Sequence, residues 1–238
     1  MLVTMPSSGV TSQSPSSARP LPQMTERFAI YYAPAADSAL WRKAEAWLAQ
    51  PDIQNVSGSA RRYGFHATIK APMALKPGMG WTQLNAALEA FRLSAGPLNM
   101  GRFGAHLIDH FLALTPVEQP QALTDFAQRV VEAMEPYRAP LSPEDRERRL
   151  QSQLSPRHVE LLDRYGYPYV LEEFRFHMTL TDRLHEDRRA ELQQRAAEWF
   201  ADELAQPFVL DRLVLFHEAA PGTPFKRLNG DFILKGPA

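Results

Sequence analysis

The 238 residues are 45% hydrophobic and 22% charged, which excludes wholesale disorder and a fibrous chain and suits one large domain or two lobes sharing a core. No cysteine is present, so a disulfide framework, a thiol nucleophile and a thiolate zinc site are excluded, as a reducing cytoplasm would suit. Twenty-six Lys and Arg against 27 Asp and Glu, a net charge of −1, leave no cationic surplus for a long nucleic acid, and no apolar run reaches the roughly 18 residues that cross a bilayer. Residues 1–25 hold six Ser, four Pro, one Arg and no acid; with so little apolar surface to offset chain entropy, they are expected to be a disordered tail. They lack the basic start and apolar core of a secretory signal. Ordered sequence is expected from residue 26 to 238 as a single unit.

Taken in chain order, 28–33 is apolar and aromatic and closed by Pro34, hence a strand. Asp37 or Ser38 caps a helix through Leu48, and 64–71 is a strand stopped by Pro72. A helix over 81–93 ends at Gly96-Pro97, followed by strands over 98–103 and 106–115. Helical spacing returns at 122–134. The segment 137–156 is charged and proline-punctuated, with helices expected over 143–153 and 156–165. A strand over 172–181, a helix over 186–204 and strands over 208–217 and 231–234 complete the pattern. Strands and helices interleave twice in similar order, which reads as a duplicated unit of α+β class.

Two of these strands share one pattern. Phe65-His66-Ala67-Thr68-Ile69 and Phe176-His177-Met178-Thr179-Leu180 both read Phe-His-x-Thr-aliphatic. With a period of two, His66, Thr68 and Lys70 share one face of the first strand. Arg175, His177 and Thr179 share one face of the second, and the phenylalanines and aliphatics pack behind. Two imidazoles near neutrality supply a base and an acid; each Thr, on the same face, donates to an oxyanion lying between the rings. Lys70 and Arg175 extend both faces with positive charge. This chemistry suits a phosphate diester, whose transition state spreads negative charge over its non-bridging oxygens. It calls for no metal and no cofactor, and which imidazole is base stays open.

The paired His-x-Thr motifs resemble the two-histidine (2H) phosphoesterase superfamily. Resemblance is closer still to a bacterial branch encoded beside carbon–phosphorus lyase genes and labelled as phosphonate metabolism proteins. The stretches that carry it are RFAIYYAP from Arg27, YGFHATIKAPMAL from Tyr63, YRAPLS from Tyr137 and LSPRHVELLDRYGYPYVLEEFRFHMTLTDRL from Leu154, covering most of 26–235. Asp182 departs from the pattern, in which glycine follows the second motif. The resemblance implies a bilobal α+β fold: two pseudo-symmetric antiparallel sheets, flanked by helices, around a central cleft. It also implies His66 and His177 as the acid/base pair and Thr68 and Thr179 as phosphate-oxygen ligands. The activity implied is hydrolysis of a cyclic phosphodiester, in the phosphonate setting a phosphorylated ribose cyclic phosphate. The alternatives are an RNA-end 2′,3′-cyclic phosphodiesterase and a non-catalytic phosphate- or nucleotide-binding module.

Other residues carry weaker signals. Tyr63, three before His66, is the tyrosine expected to bind substrate, with Lys70 and Arg175 for phosphate. Tyr32, Tyr165, Tyr167 and Tyr169 read first as packing. His106 and His110, on one strand face with no third ligand, read poorly as a metal site. Glu144 to Arg149 reads as a solvated helix face, and as a lid over the cleft only second. Lys226 and Arg227 read first as surface charge and second as ligands of a substrate's second phosphate. A small phosphorylated substrate, and neither membrane nor long nucleic acid, is the partner expected.

Overall fold

Capped and alternating segments of the sequence become the elements of a computed structural model that describes residues 26–228 and 230–237. The tail expected over 1–25 lies outside the described residues. Strand β1 (Arg27–Tyr32) leads to α1 (Ala39–Leu48), whose first turn is capped by Ser38 Oγ accepting from Trp41 N at 3.1 Å. Short helices α2 (Pro51–Gln54) and α3 (Gly58–Tyr63) precede β2 (Ala67–Met73), followed by α4 (Trp81–Ser94). Strands β3 (Leu98–Gly101), β4 (Phe103–Ile108) and β5 (Phe111–Pro116) lead into α5 (Gln121–Met134). Ser142-Pro143 and Ser155-Pro156 place a capping hydroxyl and a first-turn proline at the starts of α6 (Pro143–Leu150) and α7 (Pro156–Tyr165). Strand β6 (Met178–Thr179), α8 (Glu186–Trp199) and α9 (Ala201–Leu204) follow. The last strands are β7 (Phe208–Leu210), β8 (Arg212–Glu218), β9 (Lys226–Arg227) and β10 (Phe232–Ile233).

The strands form one antiparallel sheet in the order β10-β8-β1-β2-β6-β5-β4, with β9 on β8, and a separate pair β3-β7. The two sheets expected of the halves are thus continuous, joined where β2 meets β6. One face packs Phe28, Ile30 and Tyr32 of β1, with Ile69 and Met178, against α1, α4, α5 and α8 in the main core. The amphipathic α5 buries Leu123, Phe126, Val130 and Met134 there. The opposite face is left for the cleft.

Among the expected elements that differ, β2 runs on through Pro72 to Met73 and the strand over 98–103 ends at Gly101, and four more differ for a local reason. The strand over 106–115 is the hairpin β4–β5, closed by the two-residue turn Asp109-His110 with Ile108 paired to Phe111. Asp109 sits at φ 51°, the left-handed conformation such a turn demands and aspartate tolerates. The strand over 208–217 divides at Asp211, β7 pairing with β3 and β8 with β1. The helix over 186–204 breaks at Phe200, whose ring is fully buried and whose backbone (φ −98°, ψ 11°) leaves the helical region. Of the strand over 172–181 only Met178–Thr179 pairs. Upstream, Gln119 stands in for a partner strand: its Oε1 accepts from Phe176 N at 2.7 Å and its Nε2 donates to Phe174 O at 3.0 Å.

Candidate active site

The two motifs meet at the single register pair Ala67↔Met178 between β2 and β6. An antiparallel pair of like tripeptides, joined at their middle residues, is related by a local twofold axis. Continuing the register sets His66 across from Thr179 and Thr68 across from His177, all four on the face opposite Ala67 and Met178. Side chains directly opposed this way stand about 4.5–5.5 Å apart at Cβ. The register is enforced from behind. Phe65 and Phe176, one residue before each histidine, are buried in the core, and full burial of such a ring contributes roughly 1.5–3 kcal/mol. A slip of one residue would expose both and bury the imidazoles.

Each imidazole is oriented in the same way. His66 Nδ1 donates to Gly64 O at 2.7 Å and His177 Nδ1 to Arg175 O at 2.8 Å. A carbonyl only accepts, so in the neutral rings Nε2 carries the free lone pair. Thr68 Oγ1 lies 3.3 Å from His66 Nε2. Gly64 sits at φ 74°, ψ 170°, a conformation open to glycine, and this turn out of α3 presents its carbonyl to the ring. The His66 ring stacks on Tyr31 with centroids 3.8 Å apart and planes 21° from parallel. Burial lowers the His66 pKa to about 4, against the pull of the Gly64 carbonyl and helped by His177. Burial lowers His177 as well, its bond to Arg175 O opposing.

A cleft of about 230 Å³ brings together His66, Thr68, His177 and Thr179 with Tyr63, the expected substrate tyrosine. It also holds Arg27 and Tyr31, which sequence reasoning missed, and Arg149 and Tyr167, which it read first as part of a solvated helix face and as packing. Period two along β1 places Arg27 and Tyr31 on one face, a signal available in the sequence. Tyr32 and Tyr165, both read first as packing, do pack: Tyr32 points to the core beside Phe176, and Tyr165 is buried in a small cluster with Leu161 and Val170. Arg149 comes from the charged helix α6, so the lid reading of that segment contributes one residue to the cleft.

Lys70 is a correction. Two irregularities between β1 and β2 shift the register, so Lys70 pairs with Ile30, on the core side, instead of sharing the face of Thr68. Its Nζ lies 2.8 Å from Glu135 Oε2 and 3.2 Å from Val131 O, at the C-terminal end of α5. Arg175 also misses the cleft: its side chain is exposed, and its contribution is the carbonyl that orients His177. His106 donates to or accepts from Thr115 Oγ1 at 2.7 Å on β4, while His110 lies in the turn, so the two do not share a strand face. Among the described residues no group of three or more His, Asp or Glu side chains is placed to hold a metal ion. Arg227 is bound to Asp231, and neither it nor Lys226 lines the cleft.

Asp182 has a structural role. Its Oδ1 accepts from Ser59 N at 2.9 Å, so the loop after the second motif caps α3, the helix that ends just before the first. Asp182→Ala is expected to cost about 1 kcal/mol, the usual worth of a lost helix cap, seen as a lower denaturant midpoint with an unchanged slope. No change in midpoint would show the cap to be dispensable.

Residues 68–226 match the family described as protein of unknown function (DUF1045). The chain is 33% identical over 221 residues to ribose 1,5-bisphosphate phosphokinase PhnN of Janthinobacterium sp. (strain Marseille), covering 84% of this chain and 49% of that protein. It is 32% identical over 216 residues to the protein of the same name from Laribacter hongkongensis (strain HLHK9), covering 84% and 50%. The chain therefore spans about half the length of these curated relatives. Among solved structures, E. coli LigT complexed with 3′-AMP aligns over 88% of this chain and 98% of that one, at 14% identity and a TM-score of 0.46. TT0787 of Thermus thermophilus aligns over 89% and 100%, at 13% identity and a TM-score of 0.46. No helix among the described residues is long and apolar enough to cross a membrane. With the family match extending over more than half of its length, the chain belongs to the DUF1045 family.

Proposed function

We propose that the chain is a metal-independent phosphoesterase that hydrolyses a cyclic phosphodiester, with a phosphorylated ribose cyclic phosphate of phosphonate catabolism as its substrate. The observation that carries this reading is the meeting of both His-x-Thr motifs at Ala67↔Met178, with each Nδ1 held by the carbonyl two residues upstream. One neutral ring takes a proton from water as its oxygen bonds to phosphorus; the other, protonated, gives its proton to the ring oxygen that leaves. One water is consumed, and a phosphate monoester and a free hydroxyl result. Thr68 and Thr179 donate to the non-bridging oxygens as charge builds there. Burial lowers both imidazole pKa values, that of His66 to about 4, and the local twofold makes the base and acid roles exchangeable between them.

Two observations support a small sugar substrate over an RNA end. The cleft, at about 230 Å³, lies below the roughly 300–1,000 Å³ usual for pockets taking drug-sized ligands. The relatives of twice the length are named for ribose 1,5-bisphosphate. The Walker sequence G-x-x-x-x-G-K-[ST] does not occur in this chain, so the phosphokinase part of that name is not carried over.

Turnover of ribose 1,2-cyclic phosphate esters and 2′,3′-cyclic nucleotides in excess chelator tests the proposal. Activity that persists is expected; activity abolished by chelator and restored by a divalent metal would overturn the two-histidine mechanism. The pH dependence adds a signed expectation. In the free protein both imidazole pKa values are lowered, so kcat/KM, which reports the free enzyme, is expected to peak below about pH 6.5. A bound phosphate anion favours the imidazolium, so the kcat profile should lie at higher pH, with limbs that belong to the pair. A kcat/KM optimum above about pH 7.5 would contradict the lowered values.

A further inference from the structure

The cleft lining includes two guanidinium groups, Arg27 and Arg149, and no carboxylate. Arg27 is partly answered: its Nε lies 2.5 Å from Glu218 Oε2, but that buried carboxylate also holds Arg62 Nη2 at 2.7 Å. One carboxylate between two guanidiniums leaves a positive charge over. Burial works to raise the Glu218 pKa, yet the hydrogen bonds from Arg27, Arg62 and Gly222 N hold it below the usual carboxylate range, so it stays ionised.

Arg149 has no carboxylate partner among the described residues, whereas the other arginines of α6 do. Arg146 grips Asp163 through two bonds of 2.6 and 2.9 Å, and Arg148 pairs with Asp145. The buried Nε of Arg149 has no hydrogen-bond partner. Its guanidinium lies 5.7 Å from the Tyr167 ring centroid. Burial holds Arg149 below the ordinary arginine value, against the pull of Tyr167 and with repulsion from Arg148. Burial pushes the Tyr167 hydroxyl up to about 12, which keeps it a donor at neutral pH. The Arg146–Asp163 pair fixes α6 to α7, and Ala139 N donates to Ala74 O at 2.9 Å, tying the approach to α6 to the end of β2. Arg149 is thereby carried on a fastened element.

A half-buried, unpaired cation is costly and marks a place where an anion belongs. With Glu218 shared between Arg27 and Arg62, the two guanidiniums of the lining carry more positive charge than the single negative charge of a cyclic phosphodiester answers. A phosphate monoester carries about −1.5 to −2 at neutral pH and presents oxygens to which a guanidinium binds bidentately. We propose that Arg149, with Arg27 and the Tyr167 hydroxyl, forms a second anion subsite that binds a phosphate monoester carried by the same substrate, an inference that rests on the phosphoesterase reading above. The subsite supplies the residues that select the terminal phosphate of the phosphorylated ribose cyclic phosphate proposed above.

Four compounds test this: ribose 1,2-cyclic phosphate and its 5-phosphate, and 2′,3′-cyclic AMP and its 5′-phosphate. The phosphorylated member of the preferred pair is expected to have a kcat/KM at least roughly tenfold higher, an advantage that Arg149→Ala removes and Arg149→Lys keeps in part. The preferred pair tells a sugar from a nucleotide. Equal kcat/KM for both members in the unaltered protein, or an Arg149→Ala loss of the same size on both, overturns the subsite and leaves the phosphoesterase reading standing. No turnover of any of the four overturns that reading. The subsite is then judged by titration calorimetry with ribose 5-phosphate: a Kd weakened roughly tenfold in Arg149→Ala supports it, and an unchanged Kd overturns it.

Discussion

His66→Ala and His177→Ala are each expected to lower kcat by roughly 10²–10⁴-fold on a cyclic phosphodiester, the usual contribution of a positioned acid or base. The reasoning runs from the register outward. Ala67↔Met178 brings the two rings onto one cleft face, and the carbonyls of Gly64 and Arg175 leave each Nε2 free for proton transfer. Removing one ring deprives the reaction of its base or its acid. Removing both is expected to cost little more than removing one, because groups that act as a unit are non-additive. His66 stacks on Tyr31, so its truncation also opens space beside an aromatic ring. His66→Gln, which fills much of that space without a titrating nitrogen, separates lost chemistry from lost packing. If both His66 variants and His177→Ala kept kcat within about threefold of the unaltered protein, no acid–base role at these positions would survive.

Thr68→Val and Thr179→Val are expected to lower kcat by about 10²–10³-fold each, with smaller changes in KM. Valine keeps the branched shape that suits a strand and removes only the donor. Thr68 Oγ1 lies 3.3 Å from His66 Nε2, a loose contact that it can exchange for a phosphate oxygen. The twofold relation gives Thr179 the equivalent place across from His66. An interaction made chiefly in the transition state appears in kcat; one made equally with substrate appears in KM. A rise in KM at constant kcat would reassign both hydroxyls to ground-state binding.

Much of this site was legible because its determinants are local. A Phe-His-x-Thr-aliphatic pentapeptide declares its own two faces, and the buried Phe65 and Phe176 confirm which face turns inward. Helices with a capping serine and a first-turn proline, such as α6 and α7, begin where the sequence places them. What failed was decided by a partner elsewhere in the chain. Lys70 obeys strand parity only until the β1–β2 register slips, and that slip belongs to the pairing of two strands about 40 residues apart. Arg175 shares the parity of His177, but the backbone there answers to Gln119 and not to a strand. The split at Asp211 follows from two different partners, β3 and β1, taking successive segments of one apolar run. Arg149 looked like one more charge on a solvated helix. Its difference from Arg146 and Arg148 lies in which carboxylates the fold sets beside each, information that no spacing within α6 contains.

The central claim is that both imidazoles address one phosphorus atom. Crystals grown or soaked with vanadate, which adopts the five-coordinate geometry of phosphoryl transfer, test it most directly. The account predicts one vanadate in the cleft, in contact with Nε2 of His66 and Nε2 of His177, with Thr68 and Thr179 hydroxyls on its equatorial oxygens. Vanadate bound to only one of the two rings, or seated away from β2 and β6, would contradict it.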